Sequence, residues 1–363
     1  LELLSWVLLS AAALGVWPGD GGGVARTGFT PLVGQISLQS VCAVKVGRSV
    51  FESPIVVGEY LVAWSGRGEV KTWRLPDLDE VWGEKWGRAP VACWAERNLL
   101  VVCAGHPGNL VLGVDLQTGE TRWKVKDLDP SCPPLVADRV AVVGTSAGEL
   151  VALRLVDGHQ IWRIPVSSGS LSGIAMDEGS ILATALDGEL VRVTDGAVAW
   201  RRPLSGNCYG GPSVSDGLAV CTTSQGDVHA VDRGGATVWT RRTGERLRSR
   251  ACLGAGVVLV TSSEGVVRAF RTADGKALWS TPLDGLLTAA PSLVGTTAVV
   301  GSSQGTGWLL DSRTGAVIDT LQVRGPLTSQ AAVGSGLLVW GTGEGRAHVW
   351  RLTRGASPAS LSE

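Results

Sequence analysis

From residue 37 to residue 352 short apolar runs alternate with polar turns, and after position 20 no stretch of ten or more residues keeps a helical apolar period. One turn glycine sets the beat: Gly68, Gly108, Gly148, Gly188, Gly226, Gly265, Gly305 and Gly345, at intervals of 40, 40, 40, 38, 39, 40 and 40. Eight evenly spaced copies define a repeated supersecondary unit. Each copy has the same grammar. A short apolar run comes first, often opened by Pro, as in APSLVG (290–295). A second follows, as in VAVVGTS (140–146), and then the glycine turn. A third alternating run, as in LVALRL (150–155), leads to an Asp or Thr-Gly turn and a fourth run that carries Trp.

Four β-branched runs per unit, each bounded by Gly, Asp or Ser, predict a four-stranded antiparallel meander. A unit of about 40 residues repeated eight times predicts an all-β, eight-bladed β-propeller. Its closure is also legible. The eighth unit stops after RAHVWRL (346–352) and lacks a fourth strand, while SLQSVCAVKVG (37–47) precedes the first unit and has no blade of its own. The N-terminal strand is therefore expected to complete the last blade and remove an open edge.

The phrase DLQTGETRW (115–123) recurs as LVDGHQIW, TDGAVAW, RGGATVW and TADGKALW. A Trp on the outer strand can lie on the glycine turn of the next blade, burying about 150–250 Å². The Asp ahead of the turn can accept backbone N–H bonds. Trp82, Asp115, Gly119, Trp123, Trp162, Trp200, Trp239 and Trp279 are accordingly expected to be docking residues rather than chemistry. Blade seven has Val317-Ile318, and the closing strand Val41-Cys42, where Trp is expected, so those two contacts should be weaker. Fifteen Trp against three Phe and two Tyr fit a structural demand for indole.

The expected organisation is an apolar leader (1–15), a lead-in (16–36), the propeller (37–352) and a disordered tail (353–363). LLSWVLLSAAALGVW (3–17) is too short for a typical spanning helix. It fits the apolar core of a signal peptide, without the basic start, and an anchor or a fragment of a longer chain are the alternatives. Export would place the mature chain outside the cytoplasm, with no membrane span. GDGGG (19–23) reads as a flexible exit from the leader.

The net charge of −1 gives no field that favours nucleic acid or anionic lipid. Seven cysteines include no CxxC and no adjacent pair; Cys93 and Cys103 flank a hairpin and either pair or stay as buried thiols. His106, His159, His229 and His348 stand in separate units, without metal-ligand spacing. No nucleophile elbow and no phosphate loop ahead of a helix occurs, and the carboxylates are scattered through turns. The one charge run is TRRTGERLRSR (240–250). Arg246, Arg248 and Arg250, with Arg88, Arg201 and Arg202, are expected on crossovers between blades, where they form either a solvated rim or a positive ring for an acidic protein segment.

A-x-D-x-x-T-G-x-x-x-W is the tryptophan-docking repeat of the PQQ-like propellers, and GVDLQTGETRW resembles it with Gly113 in place of Ala. VWPGDGGGVARTGFTP (16–31) is similar to the W-P-x-x-x-G-x-x-x-R-T-G start of exported bacterial PQQ-like repeat proteins. The resemblance covers about residues 16–352. It implies the fold strongly and the function weakly, because quinoprotein dehydrogenases, BamB-type outer-membrane assembly factors and accessory propeller domains of larger enzymes share the repeat. The BamB-type branch implies a monomeric, non-catalytic, extracytoplasmic scaffold without a cofactor. Its expected partners are proteins of the envelope β-barrel assembly machinery. The dehydrogenase branch implies PQQ and calcium, but this chain lacks the adjacent cysteine pair that closes over the quinone.

Overall fold

The computed structural model describes residues 17–32, 34–50, 52–86, 90–105 and 108–354. All regular structure among them is β, arranged in eight sheets: seven have four strands, and blade seven has a fifth because Phe29–Thr30 of the lead-in pairs parallel with its inner strand Ser292–Val294. In blade three the chain runs Leu135–Ala137, Val140–Gly144, Glu149–Arg154 and Gln160–Pro165, each strand antiparallel to the last. The other blades repeat this order from the channel outward.

The strand pattern follows from where each strand sits. Second strands such as Val257–Thr261 and Thr297–Gly301 are buried along their whole length, because a blade covers each face. They read as continuous apolar runs for that reason. Outer strands such as Ala277–Pro282 are mostly exposed. The core is a ring of clusters between neighbouring blades, held by side chains from both.

Closure occurs as the repeat grammar predicts. Ile36–Lys45 pairs antiparallel with Arg346–Arg354, from Ile36 against Arg354 to Lys45 against Arg346. The exchange supplies blade eight with its outer strand. Thr353 and Arg354 belong to this ladder, so the expected tail begins later; the rest of it, and the leader 1–15, lie outside the described residues.

The docking device is present at most seams. The indole Nε1 donates to a carbonyl of the next blade from Trp82 (Leu116, 2.8 Å), Trp123 (Leu155, 2.8 Å), Trp200 (Arg233, 2.9 Å), Trp239 (Thr272, 2.9 Å) and Trp279 (Ser312, 2.8 Å). The rings lie on turn glycines so closely that a Cβ at Gly119 would stand 2.8 Å from Trp82, and one at Gly275 2.6 Å from Trp239. Asp115 Oδ1 accepts the amides of Gln117 (2.8 Å) and Thr118 (3.0 Å), fixing the turn.

Trp162 departs from this scheme. The blade-four turn is a two-residue hairpin, Asp195-Gly196 between the paired Thr194 and Ala197, and Gly196 has no side chain within reach of a Cβ. Trp162 packs against the neighbouring core but lies on no glycine. Blade seven also needs correction. Its bulge at Ile318 pairs Asp319 with Leu309, the register at which Trp279 pairs with Ala269, so Asp319 stands in the tryptophan place. The reason is the closure itself. Blade eight takes its third and fourth strands from opposite ends of the chain and therefore offers no turn on which an indole could lie.

Candidate functional site: a filled channel and a basic crossover face

The lead-in is a built element, not the flexible exit expected of GDGGG. The amide of Gly22 donates to Gly19, that of Arg26 to Gly23 and that of Gly28 to Gly21, which closes 19–28 into a compact loop. Gly21 and Gly22 adopt φ of 77° and 80°, open to glycine at little cost. Around the loop, inner-strand amides of successive blades donate to lead-in carbonyls. Val56 donates to Trp17, Ala95 to Pro18, Met176 to Val24, Val214 to Ala25, Leu253 to Thr27 and Leu293 to Gly28. The inner strand of each blade has a free edge toward the axis, and the lead-in satisfies these edges as a seventeenth-residue-onward strap.

Side chains anchor it. Trp17 is 1% exposed and donates from Nε1 to Ser53 Oγ at 3.1 Å. Gly19 lies against the ring of Trp94. The Arg26 guanidinium stands 4.7 Å from the centroid of Trp94 and donates to the carbonyls of Pro133 (3.2 Å) and Pro134 (2.5 Å), besides that of Asp20. It thereby fastens blade three, the one blade among the first seven that gives the strap no backbone bond. Asp20 forms a buried ion pair with Arg250. Glu52 completes the cluster. Burial of its carboxyl, with Asp20 beside it, pushes its pKa up to about 8 against the pull of Arg250 and Arg26. Burial and the neighbouring Arg250 lower Arg26 to about 10.

The six arginines expected to form a ring part company. Arg250 is buried beneath the lead-in. Arg201 and Arg202 lie on the outer strand of blade four (Ala197–Pro203), where Arg201 bonds Glu189 and the Val166 carbonyl and Arg202 bonds Thr237. Arg88 lies outside the described residues. Arg246 and Arg248 remain exposed on the blade-five to blade-six crossover. Arg248 lies 5.6 Å over the ring of Tyr209, itself 45% exposed, and Leu286 on the next crossover is 52% exposed. Exposed Arg246, and Arg248 stacked on Tyr209, replace the continuous ring. Sequence reasoning missed Asp20, Arg26, Glu52 and Tyr209, although the Arg-Thr-Gly of the lead-in signature pointed to Arg26.

All seven cysteines are free thiols. Cys93 and Cys103 stand one register apart on paired strands, Cys93 facing Val102 and Cys103 facing Ala92. Their side chains therefore enter different core clusters, on opposite faces of the sheet, and do not meet. Among the described residues no three His, Cys, Asp or Glu converge as a metal site, and no helix is long and apolar enough to cross a membrane. The described channel does not fit PQQ with calcium, since its axis holds the Asp20–Arg26 loop and its anchors.

The fold and this strap define a class: a tryptophan-docked, eight-bladed propeller whose channel is filled by its own N-terminal segment. A family model described as outer membrane protein assembly factor BamB matches residues 54–172, 108–202, 167–246 and 224–362, and the chain belongs to that family of PQQ-like repeat propellers. BamB of Burkholderia pseudomallei is 29% identical over 138 residues, 38% of this chain; the aligned stretch spans 35% of that relative. The solved BamB of Moraxella catarrhalis superposes with a TM-score of 0.74 at 20% identity, covering 87% of this chain and all of its own. A europium-containing methanol dehydrogenase superposes with a TM-score of 0.78 at 12% identity, covering 93% of this chain and 98% of its own. At these identities both structures speak for the fold alone.

Proposed function

We propose that this chain is an extracytoplasmic, non-catalytic interaction scaffold of the BamB type. It would present a rigid face to protein partners during assembly of outer-membrane or envelope proteins, and use no cofactor. The observation that carries this reading is the filled channel. The space at the propeller axis is spent on the chain's own backbone and on a paired charge cluster. Binding is left to the outer surfaces, where exposed Arg246, Arg248 and Tyr209 are of the residue types that dominate protein interfaces. Its charge suits an acidic partner loop, because arginine forks match carboxylates.

The test has two arms on the purified chain. Titration with PQQ and calcium, followed by tryptophan quenching, is expected to give no saturable response; saturable, calcium-dependent quenching would move the reading to a quinoprotein oxidoreductase. The double variant Arg246→Glu, Arg248→Glu is expected to melt like the parent and to lose capture of β-barrel assembly components from an envelope extract. Undiminished capture by that variant would remove the crossover face from the mechanism.

A further inference from the structure

We infer that the face opposite the crossovers carries a second docking groove, built for a basic, extended segment of a partner protein. The inference is independent of the crossover-face reading. Each inner strand leaves the crossover end of its blade and reaches this opposite face, where a short turn joins it to the second strand. The first residue of that turn has a positive φ in all eight blades. In blades one, two, six, seven and eight it is Gly58, Arg97, Ala255, Gly295 and Ser335. In the three consecutive blades three, four and five it is Asp138, Glu178 and Asp216.

Turn chemistry explains part of this. Asp tolerates the left-handed region, but Glu has no such local advantage at φ of 45°. The clustering has a further correlate in space. These three turns rim a cavity of about 680 Å³ between the lead-in and blades three to five. Its floor is apolar, formed by Val24, Ala25, Met176 and Val214. Its rim brings four carboxylates, Asp138, Asp177, Glu178 and Asp216, against one guanidinium, Arg233. Arg233 forks onto Asp177 (3.0 Å) and Glu178 (2.7 Å), and Arg192 bonds Asp177 from behind (3.0 Å). Asp138 and Asp216 have no ion pair among the described residues, so the rim keeps a negative excess at its two ends.

An apolar floor beneath a carboxylate rim matches a lysine or arginine side chain, whose aliphatic stem lies on the floor while its head meets the rim. A groove spanning three blades fits several residues of an extended segment better than one small amine. The volume is that of a ligand site, and the charge selects the sign of the ligand.

The probe is a fluorescein-labelled acetyl-Val-Lys-Val-Lys-Val-Lys amide, read by polarisation against the full chain at two salt concentrations. Saturable binding that weakens with salt is expected, and the same peptide with Glu for Lys is expected not to bind. Asp138→Asn with Asp216→Asn keeps residues that tolerate positive φ and should weaken binding by about tenfold or more, as charge-assisted contacts do. Met176→Lys, which offers the rim an ammonium from within, should cause a similar loss. Arg246→Glu with Arg248→Glu should change nothing, which separates this groove from the crossover face. Absence of saturable binding, equal binding of the Glu peptide, or full affinity in both groove variants would overturn the inference.

Discussion

Trp123 and Trp162 occupy the same register in consecutive blades, yet their surroundings differ. Trp123 is 7% exposed, donates to Leu155 and lies on Gly158, while Trp162 is half-buried and lies on no turn glycine. Trp123→Ala is therefore expected to cost about 3–5 kcal/mol as a core truncation. Trp162→Ala should cost distinctly less, measured by denaturant unfolding of the two variants side by side. Glu52 gives a second prediction at this scale. Its folded pKa of about 8 lies above the ordinary carboxylate value, so the folded state holds the proton more tightly. Its contribution is present in full below the unfolded pKa and is lost as pH rises through about 8. The parent should lose melting temperature as pH rises from about 4.5 to about 8, and Glu52→Gln, which keeps a neutral group there, should flatten that loss. His229 acts with the opposite sign. Burial lowers its pKa, with Arg202 adding to that and Asp227 opposing it, so its contribution is present above the ordinary histidine value and falls as pH drops below it.

Two segments outside the repeat organise the whole ring. The strap 17–30 takes amides from six inner strands, and the closing strand Ile36–Lys45 joins the two ends of the chain. Both use backbone hydrogen bonds, which makes them legible to hydrogen exchange. Amides of Val214, Leu253 and Leu293, bonded to the strap, are expected to be protected nearly to the level of the second strands. Arg26→Ala removes the contacts to Pro133 and Pro134 and the stacking on Trp94, and should raise exchange at these amides before it raises exchange at Val258 or Val299. Uniform acceleration across all blades would instead mean that strap and ring open as one unit. The seams also differ as elements. At the closing seam, Leu38 and Val44 from the last blade and Leu75 and Leu78 from the first pack on one core, in place of an indole.

As a whole the molecule presents two unlike faces. Crossovers and glycine turns carry the basic, aromatic patch around Arg248, and the opposite face carries the acid-rimmed groove. The buried Asp20–Arg250 pair lies between them and fastens the strap to blade six. Removing one partner of such a pair typically costs about 3–5 kcal/mol, because the other charge stays buried alone. Asp20→Ala is therefore expected to destabilise strongly, with little change in either face's binding at temperatures where the variant stays folded.

The repeat, its eight copies, the strand exchange and the docking phrase could all be read along the chain, because each depends on residues close in sequence or on a period that repeats. Gly at a positive-φ turn, Trp four residues after it and an apolar run buried on both faces are local requirements, and local requirements leave local patterns. The failures have the same logic in reverse. Counting four residues from Gly315 gives Asp319 and not Val317-Ile318, a register the bulge bears out, and Trp162 lost its turn because the hairpin 33 residues later is shorter. Arg250 looked like its exposed neighbours Arg246 and Arg248, and only its meeting with Asp20, 230 residues away, buried it. GDGGG looked flexible because glycine permits many conformations. The inner edges of six blades chose one, and that choice filled the channel.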